Sequence, residues 1–137
     1  MRIIVTGSRD YHEPIVISYA LAHYAPTGPH TLVHGACKVK HEDGSPYVLR
    51  AGEKPGADRL AHFLALALGW EVEPHPALWS VHGKAAGPRR NELMAARGAD
   101  GLIAFPGGRG TAHMIRCARQ AGIPVWEPAD AQPSTLG

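Results

Sequence analysis

Two short segments of this chain have the composition of a phosphate cradle: Thr6-Gly7-Ser8-Arg9 and Pro106-Gly107-Gly108-Arg109-Gly110-Thr111. Glycine lets the main chain approach a ligand closely and adopt positive φ. Where a turn enters a helix, the free N–H groups and the dipole both point at an anion. Ser8 and Thr111 add hydroxyl donors, and Arg9 and Arg109 add charge. Gly7, taken alone, is equally well a turn-maker. The second segment carries three glycines, a proline and a threonine, more than a plain turn needs, and favours the anion. Neither segment ends in the Gly-Lys-Ser/Thr of a Walker loop, so magnesium-dependent hydrolysis of a nucleoside triphosphate is not supported.

Other chemistry-bearing residues are scattered. Arg89 and Arg90 open a predicted helix, where positive charge opposes the dipole, so one of the pair is expected on a phosphate or carboxylate and the other in solvent. Trp79 lies in a proline-flanked loop and offers an indole for base stacking or for packing. Asp58 and Glu92 are the carboxylates available for acid–base work; Asp58 equally suits a helix start, Glu92 equally suits solvent, and Asp10 is a turn residue. His82 and His113 are loop histidines that can contact phosphate, although a lone histidine usually does not. The nine histidines occur singly, and Cys37 and Cys117 form no CxxC. No metal site, cofactor or disulfide framework is therefore expected.

These groups need elements to position them. Arg2–Thr6 is a continuous β-branched run, the pattern of a buried parallel strand. A helix follows from Pro14, with an apolar face of Ile15, Ile17, Leu21 and Ala22, and stops at Pro26-Thr27-Gly28-Pro29. Thr31–His34 is a second strand, ending in Gly35-Ala36. From Cys37 to Pro55 mixed charges surround an Asp43-Gly44 turn signal, which predicts an inserted hairpin or a mobile excursion. Gly56-Ala57-Asp58 opens an apolar helix to Leu68, and Glu71–His75 is a weaker third strand. A loop with Trp79, His82, Gly83 and Lys84 leads to a helix from Pro88 to about Arg97. Gly101–Phe105 is the fourth strand, a helix follows the second glycine-rich segment, and Ile123–Trp126 is the fifth strand. Residues 1–128 thus form one domain, and 129–137 a flexible tail. Strands alternating with helices predict a Rossmann-like, three-layer α/β domain with a mainly parallel sheet of order 3-2-1-4-5, its glycine-rich turns facing each other at the switch point.

The bulk numbers fit that picture. A chain of 137 residues buries roughly two-thirds of its extended surface, enough for one core. Charged residues make up 19% and the formal net charge is +2, too small a charge to imply a nucleic-acid footprint. No run approaches the ~20 apolar residues of a membrane span, and no signal-peptide pattern precedes the first strand. A cytoplasmic location without membrane contact is expected.

The ordered motifs TGSR, HGA, GAD, a Trp followed by GK-x-AGP-RRN, and AFPGGRGT resemble the YspA-type proteins of the SLOG superfamily, which groups domains similar to the LOG enzymes and to DprA. The resemblance spans Arg2 to about Trp126, interrupted by the excursion from Cys37 to Pro55. It implies a Rossmann-like fold that binds a nucleotide-derived ligand, often as a homodimer or larger homo-oligomer. By position it assigns Gly7, Ser8 and Arg9 to the first loop and Gly35 and Asp58 to the second motif. Trp79 and Lys84 match the side of the pocket, Arg89, Arg90 and Asn91 the RN motif, and Pro106 to Thr111 the phosphate loop.

LOG enzymes cleave a base from a nucleoside monophosphate, and their loop continues PGGxGTxxE; here that glutamate's position holds Met114. Glycosidic hydrolysis develops positive charge that needs a carboxylate, and a thioether cannot supply one. The leading expectation is therefore a domain that senses, carries or sequesters a nucleotide-derived ligand. The alternatives are an N-glycosidic hydrolase using Asp58 or Glu92 and, behind both, a DprA-like DNA-processing accessory protein.

Overall fold

The computed structural model describes residues 1–24 and 28–128. The expected helix stop at 26–27 and the tail at 129–137 lie outside the described residues. Five parallel strands form one sheet, β1 (Arg2–Thr6), β2 (Thr31–His34), β3 (Glu71–Pro74), β4 (Gly101–Ala104) and β5 (Val125–Trp126), in the order β3-β2-β1-β4-β5. In register, Ile4 stands beside Val33 on one side and Leu102 on the other. The architecture is the predicted α/β arrangement with order 3-2-1-4-5.

Strand side chains alternate between faces, and here both faces are covered. Ile3, Val5, Ile103 and Phe105 pack with buried residues of α1 (Pro14–Tyr24) and α2 (Ala57–Ala67). Ile4, Leu102 and Ala104 pack on the opposite side with Met94 of α4 (Ala86–Ala96) and with Met114 and Ala118 of α5 (Arg109–Gln120). Burial on both faces explains why β1 and β4 are continuous apolar runs rather than alternating ones.

Three local expectations are corrected. The buried stripe of α1 is Val16, Ile17, Ala20 and Leu21, whereas Ile15 is 79% exposed and Ala22 faces solvent; the helix is rotated by about one residue because i, i+1, i+4, i+5 is the tighter apolar stripe. The segment carrying Trp79 to Lys84 is not a loop. It forms a short helix, α3 (Trp79–His82), and a 3₁₀ turn, Gly83–Ala85, that runs into α4 two residues before Pro88. The excursion contains no paired strands: its hairpin reduces to one antiparallel bridge, Lys40 to Pro46, around Gly44 at φ 86°. The third strand, expected over Glu71–His75, ends at Pro74, a residue that an edge strand tolerates because one side needs no N–H.

Candidate functional site

A cavity of about 570 Å³ opens at the carboxyl ends of β1, β2 and β4, where the strand order reverses. Three chain segments meet there. The turn after β1 is stitched to its neighbours by main-chain bonds: the Ser8 N–H donates to the Pro106 carbonyl at 2.8 Å, and the Ser8 carbonyl accepts from the Ala57 N–H at 3.0 Å. The Ser8 amide is thus used by the fold, not offered to a ligand. Gly7 has a packing role, since a Cβ on it would stand 2.6 Å from that of Ala57.

The start of α5 is different. Its first helical bond is donated by Ala112 to the Gly108 carbonyl, 3.1 Å. Among the described residues, no amide from Gly107 to Thr111 donates to a protein acceptor. Gly108, Arg109, Gly110 and Thr111 line the cavity, so these orphan donors and the dipole border open space, as an anion site requires. Gly107 and Pro106 lie behind them. A Cβ on Gly107 would fall 2.7 Å from the Thr111 Cβ and 2.9 Å from the Ser8 nitrogen, so glycine here lets the turn close tightly on α5.

The opposite wall comes from β2, α2 and α4. Arg90 donates through Nη1 to the Gly35 carbonyl at 2.7 Å and through Nε to Asn91 Oδ1 at 2.9 Å. Glycine at position 35 leaves room for these groups, because a Cβ would come 2.8 Å from the Arg90 guanidinium carbon and 3.2 Å from Asp58 Oδ2 and would displace them. Asn91, 4% exposed, donates through Nδ2 to the Gly110 carbonyl (3.3 Å) and to His113 Nδ1 (3.2 Å). It thereby holds the start of α5 at a fixed distance from α4.

Asp58 sits in the first turn of α2, yet its carboxylate does not cap that helix. Oδ2 accepts the Cys37 amide at 3.2 Å, from the turn after β2. Burial pushes its pKa up from 3.8 to about 6, with the Arg90 charge and the Cys37 and Gly35 amides pulling the other way. Desolvation outweighs them, so the carboxyl is not held as the partner of an ion pair. The same burial, reinforced by the Asp58 charge, raises the neighbouring Cys37 thiol.

The cavity is strongly one-signed: Arg9, Arg90, Arg109 and Arg116 line it against the single carboxylate of Asp58. Trp79, 54% exposed, stands at its edge, lying so close to α4 that a Cβ on Gly87 would be 3.3 Å from its ring. Of the residues the sequence assigned to the site, five fall outside the lining, and His82, the last residue of α3, lies outside it as well. Pro106 and Gly107 shape the loop from behind, while Lys84, Arg89 and Glu92 are exposed. Glu92 is thereby corrected as a catalytic candidate, because its place on α4 turns it to solvent. Arg89 faces outward and Arg90 inward, where its guanidinium is bonded to the Gly35 carbonyl and Asn91 Oδ1 and not to a carboxylate. Asp10 is a turn residue whose exposed carboxylate is 3.4 Å from Lys38 Nζ. Met114 is fully buried in the core, so no carboxylate at that position would reach the cavity without repacking.

Arg116 and Cys37 line the cavity unforeseen. Arg116 was legible: Arg109, His113 and Arg116 recur at i, i+4, i+7 on one face of α5. Two further features carried no sequence signal. Ala36 and Lys38 adopt left-handed φ of 62° and 57° at the end of β2, and the Lys38 side chain is buried, its ammonium donating to the carbonyls of Arg9 (2.7 Å) and Lys54 (2.8 Å). Beneath them the Ala36 N–H donates to His34 Nδ1, so His34 Nε2–H donates to His62 Nδ1, both at 2.9 Å. Among the described residues no cluster of His, Cys, Asp or Glu is arranged to hold a metal, and no helix is long and apolar enough to cross a membrane.

No family model matches this sequence. Two structures of the C-terminal domain of a hydrogenase from Pyrococcus furiosus align over 92% and 91% of this chain and 89% and 88% of theirs, at 18% and 14% identity with TM-scores of 0.46 and 0.42. The Gene 61 protein of Mycobacterium phage D29 is 38% identical over 131 residues, which span 90% of this chain and 93% of that protein. At that identity and coverage, this chain belongs to the same family as the Gene 61 protein of Mycobacterium phage D29.

Proposed function

We propose that this domain binds a small phosphorylated ligand of the nucleotide class, of the kind suggested by its resemblance to the SLOG superfamily, and that its role is to sense, carry or sequester it. The observation that carries this reading is the set of unpartnered amides from Gly108 to Thr111 beside a cavity lined by four guanidinium groups and one carboxylate. Such a field concentrates anions, and 570 Å³ lies within the roughly 300–1,000 Å³ common to small-molecule sites. Trp79 supplies an apolar face at the edge for a base. Mass spectrometry of small molecules released on denaturing the purified protein tests this directly. A phosphorylated species should appear, and Arg90→Met should lower its yield at least tenfold; recovery only of phosphate-free ligands, or equal yield from both proteins, would sink the reading.

A second reading, hydrolysis of an N-glycosidic bond, is favoured by Asp58 alone. A buried carboxyl with a pKa near 6 both holds and releases a proton near neutrality. The water oxygen would bond to the anomeric carbon as the carbon–nitrogen bond breaks, and the base would leave carrying a proton. Chromatography after incubation with nucleoside monophosphates separates the two: free base from the wild type but not from Asp58→Asn means hydrolysis, and no free base means binding only.

The resemblance also brings a homo-oligomer with it. The exposed side chains of Ile15 and Tyr19 on α1 and of Phe63 and Leu66 on α2 supply apolar surface for such a contact. A monomeric mass by light scattering would remove this part of the proposal.

A further inference from the structure

The excursion between β2 and α2 does not close over the cavity just described. Together with α3 and the segment before it, it walls a second cavity of about 660 Å³. The two cavities have a common wall of Arg9, Gly35, Cys37, Trp79 and Arg90. Arg9 and Trp79, both exposed, form the outer part of that boundary.

The wall is a built one. Lys38 ties the excursion to the first glycine turn through the Arg9 carbonyl and to its own far end through the Lys54 carbonyl. Arg59 on α2 donates to the carbonyls of Lys38 (2.9 Å) and Tyr47 (3.1 Å). At the outer rim the Glu42 carboxylate accepts both the amide (3.0 Å) and the hydroxyl (2.8 Å) of Ser80 on α3. Fastening at three places gives the second cavity a fixed shape, as a binding compartment needs.

Its charges complete the argument. Arg9 lines both cavities and Lys40 lines the second. Among the described residues neither cation has a carboxylate partner. Glu42 and Asp43 also line this cavity, but their carboxylates are bonded to Ser80 and Ser45, and Arg9, Lys38, Lys40 and Arg90 outnumber them along its lining. Two unneutralised cations, one at the junction and one beyond it, suit a ligand whose phosphates pass from the first compartment into the second.

We infer that the two cavities form one bipartite site for a nucleotide with a diphosphate bridge, its bridge running past Arg9 and its second half seated in the compartment built by residues 37–55. This rests on the phosphate-binding reading above and extends it to a substrate class.

The test is calorimetric titration of the full chain with two matched pairs, AMP with ADP-ribose and UMP with UDP-glucose. In at least one pair the diphosphate-bridged member should bind tenfold or more tightly than the monophosphate. Lys40→Glu, at an exposed position outside the first cavity, should erase most of that gain while leaving the monophosphate within twofold, and Lys40→Gln should fall between. If monophosphates bind but their bridged partners bind no tighter, or if Lys40→Glu weakens both members equally, the bipartite site is refuted and the phosphate site survives. If no member of either pair binds, the phosphate reading itself fails and this inference goes with it.

Discussion

Replacing Asp58 by Asn should stabilise this protein at neutral pH. A carboxyl whose folded pKa is about 6 against an ordinary 3.8 holds its proton longer in the folded state than in the unfolded one. Between those two values the native state binds more protons, so stability falls as pH rises through the window. Above it the deficit is complete, and the shift of about two units corresponds to about 3 kcal/mol at 1.36 kcal/mol per unit. Asparagine mimics the protonated carboxyl. Its Oδ1 can still accept the Cys37 amide, while the buried charge is gone. Asp58→Asn should therefore gain up to about 3 kcal/mol at pH 8, on the order of 10 °C in Tm for a chain of this length, and almost nothing at pH 4. Urea unfolding of both proteins at the two pH values measures the difference. Should Asp58→Asn be the less stable protein at pH 8, the carboxylate is a structural partner of Arg90 and the argument for a functional carboxyl is wrong.

His34 gives the opposite pH dependence. Burial, with the charges of His62, His75, Arg90 and Lys40, lowers its pKa to about 3, so the unfolded state takes a proton near pH 6.5 that the folded state refuses. Its contribution is whole above that pH and is lost as pH falls, by about 3 kcal/mol at pH 4.5, where relief of Asp58 returns about 2. The wild-type stability profile from pH 7 to 4.5 should thus be shallow and that of Asp58→Asn steep; parallel profiles in a denaturant series would contradict both assignments. At the glycine-rich turn, Gly107→Ala should cost about 1–3 kcal/mol by overpacking, because its Cβ meets Thr111 and the Ser8 backbone, whereas Gly108→Ala meets nothing within 4 Å. Thermal melts of the two variants check this, and equal losses would mean that the turn is not packed as described.

The strands were legible in the sequence because a sheet buried on both faces needs continuous apolar runs, and Arg2–Thr6 and Gly101–Phe105 are such runs with glycine-rich ends. The parallel sheet followed from the alternation of strands with helices and from right-handed crossovers; the order 3-2-1-4-5 came with the Rossmann-like fold and not from alternation, which other strand orders share. The α1 stripe was misplaced because Ile15, Val16 and Ile17 are all apolar, and only packing against the sheet selects among them. The candidate site was legible to the extent that it is local. Orphan amides at a helix start follow from Gly-Gly-Arg-Gly-Thr and a helix behind it, whatever the rest of the chain does.

What depends on two distant segments meeting was not legible. Gly7 and Gly107 look alike in sequence, yet one glycine admits Ala57 of α2 and the other admits Thr111 of its own loop. Lys38 reads as one charge in a charged excursion and is a buried clip. Asp58 shows the limit most clearly. In sequence it is an acidic residue near a helix start, which any first turn favours. Its raised pKa arises from burial beneath the turn that ends β2, which outweighs the Cys37 amide on the carboxylate, while Arg90, from another helix, is bonded to Gly35 instead of pairing with it. A direct Arg90–Asp58 pair would have held the carboxyl low and made it structural. Giving Arg90 a carbonyl to bind leaves both charges facing the same cavity, the arrangement a ligand with an anionic group can complete.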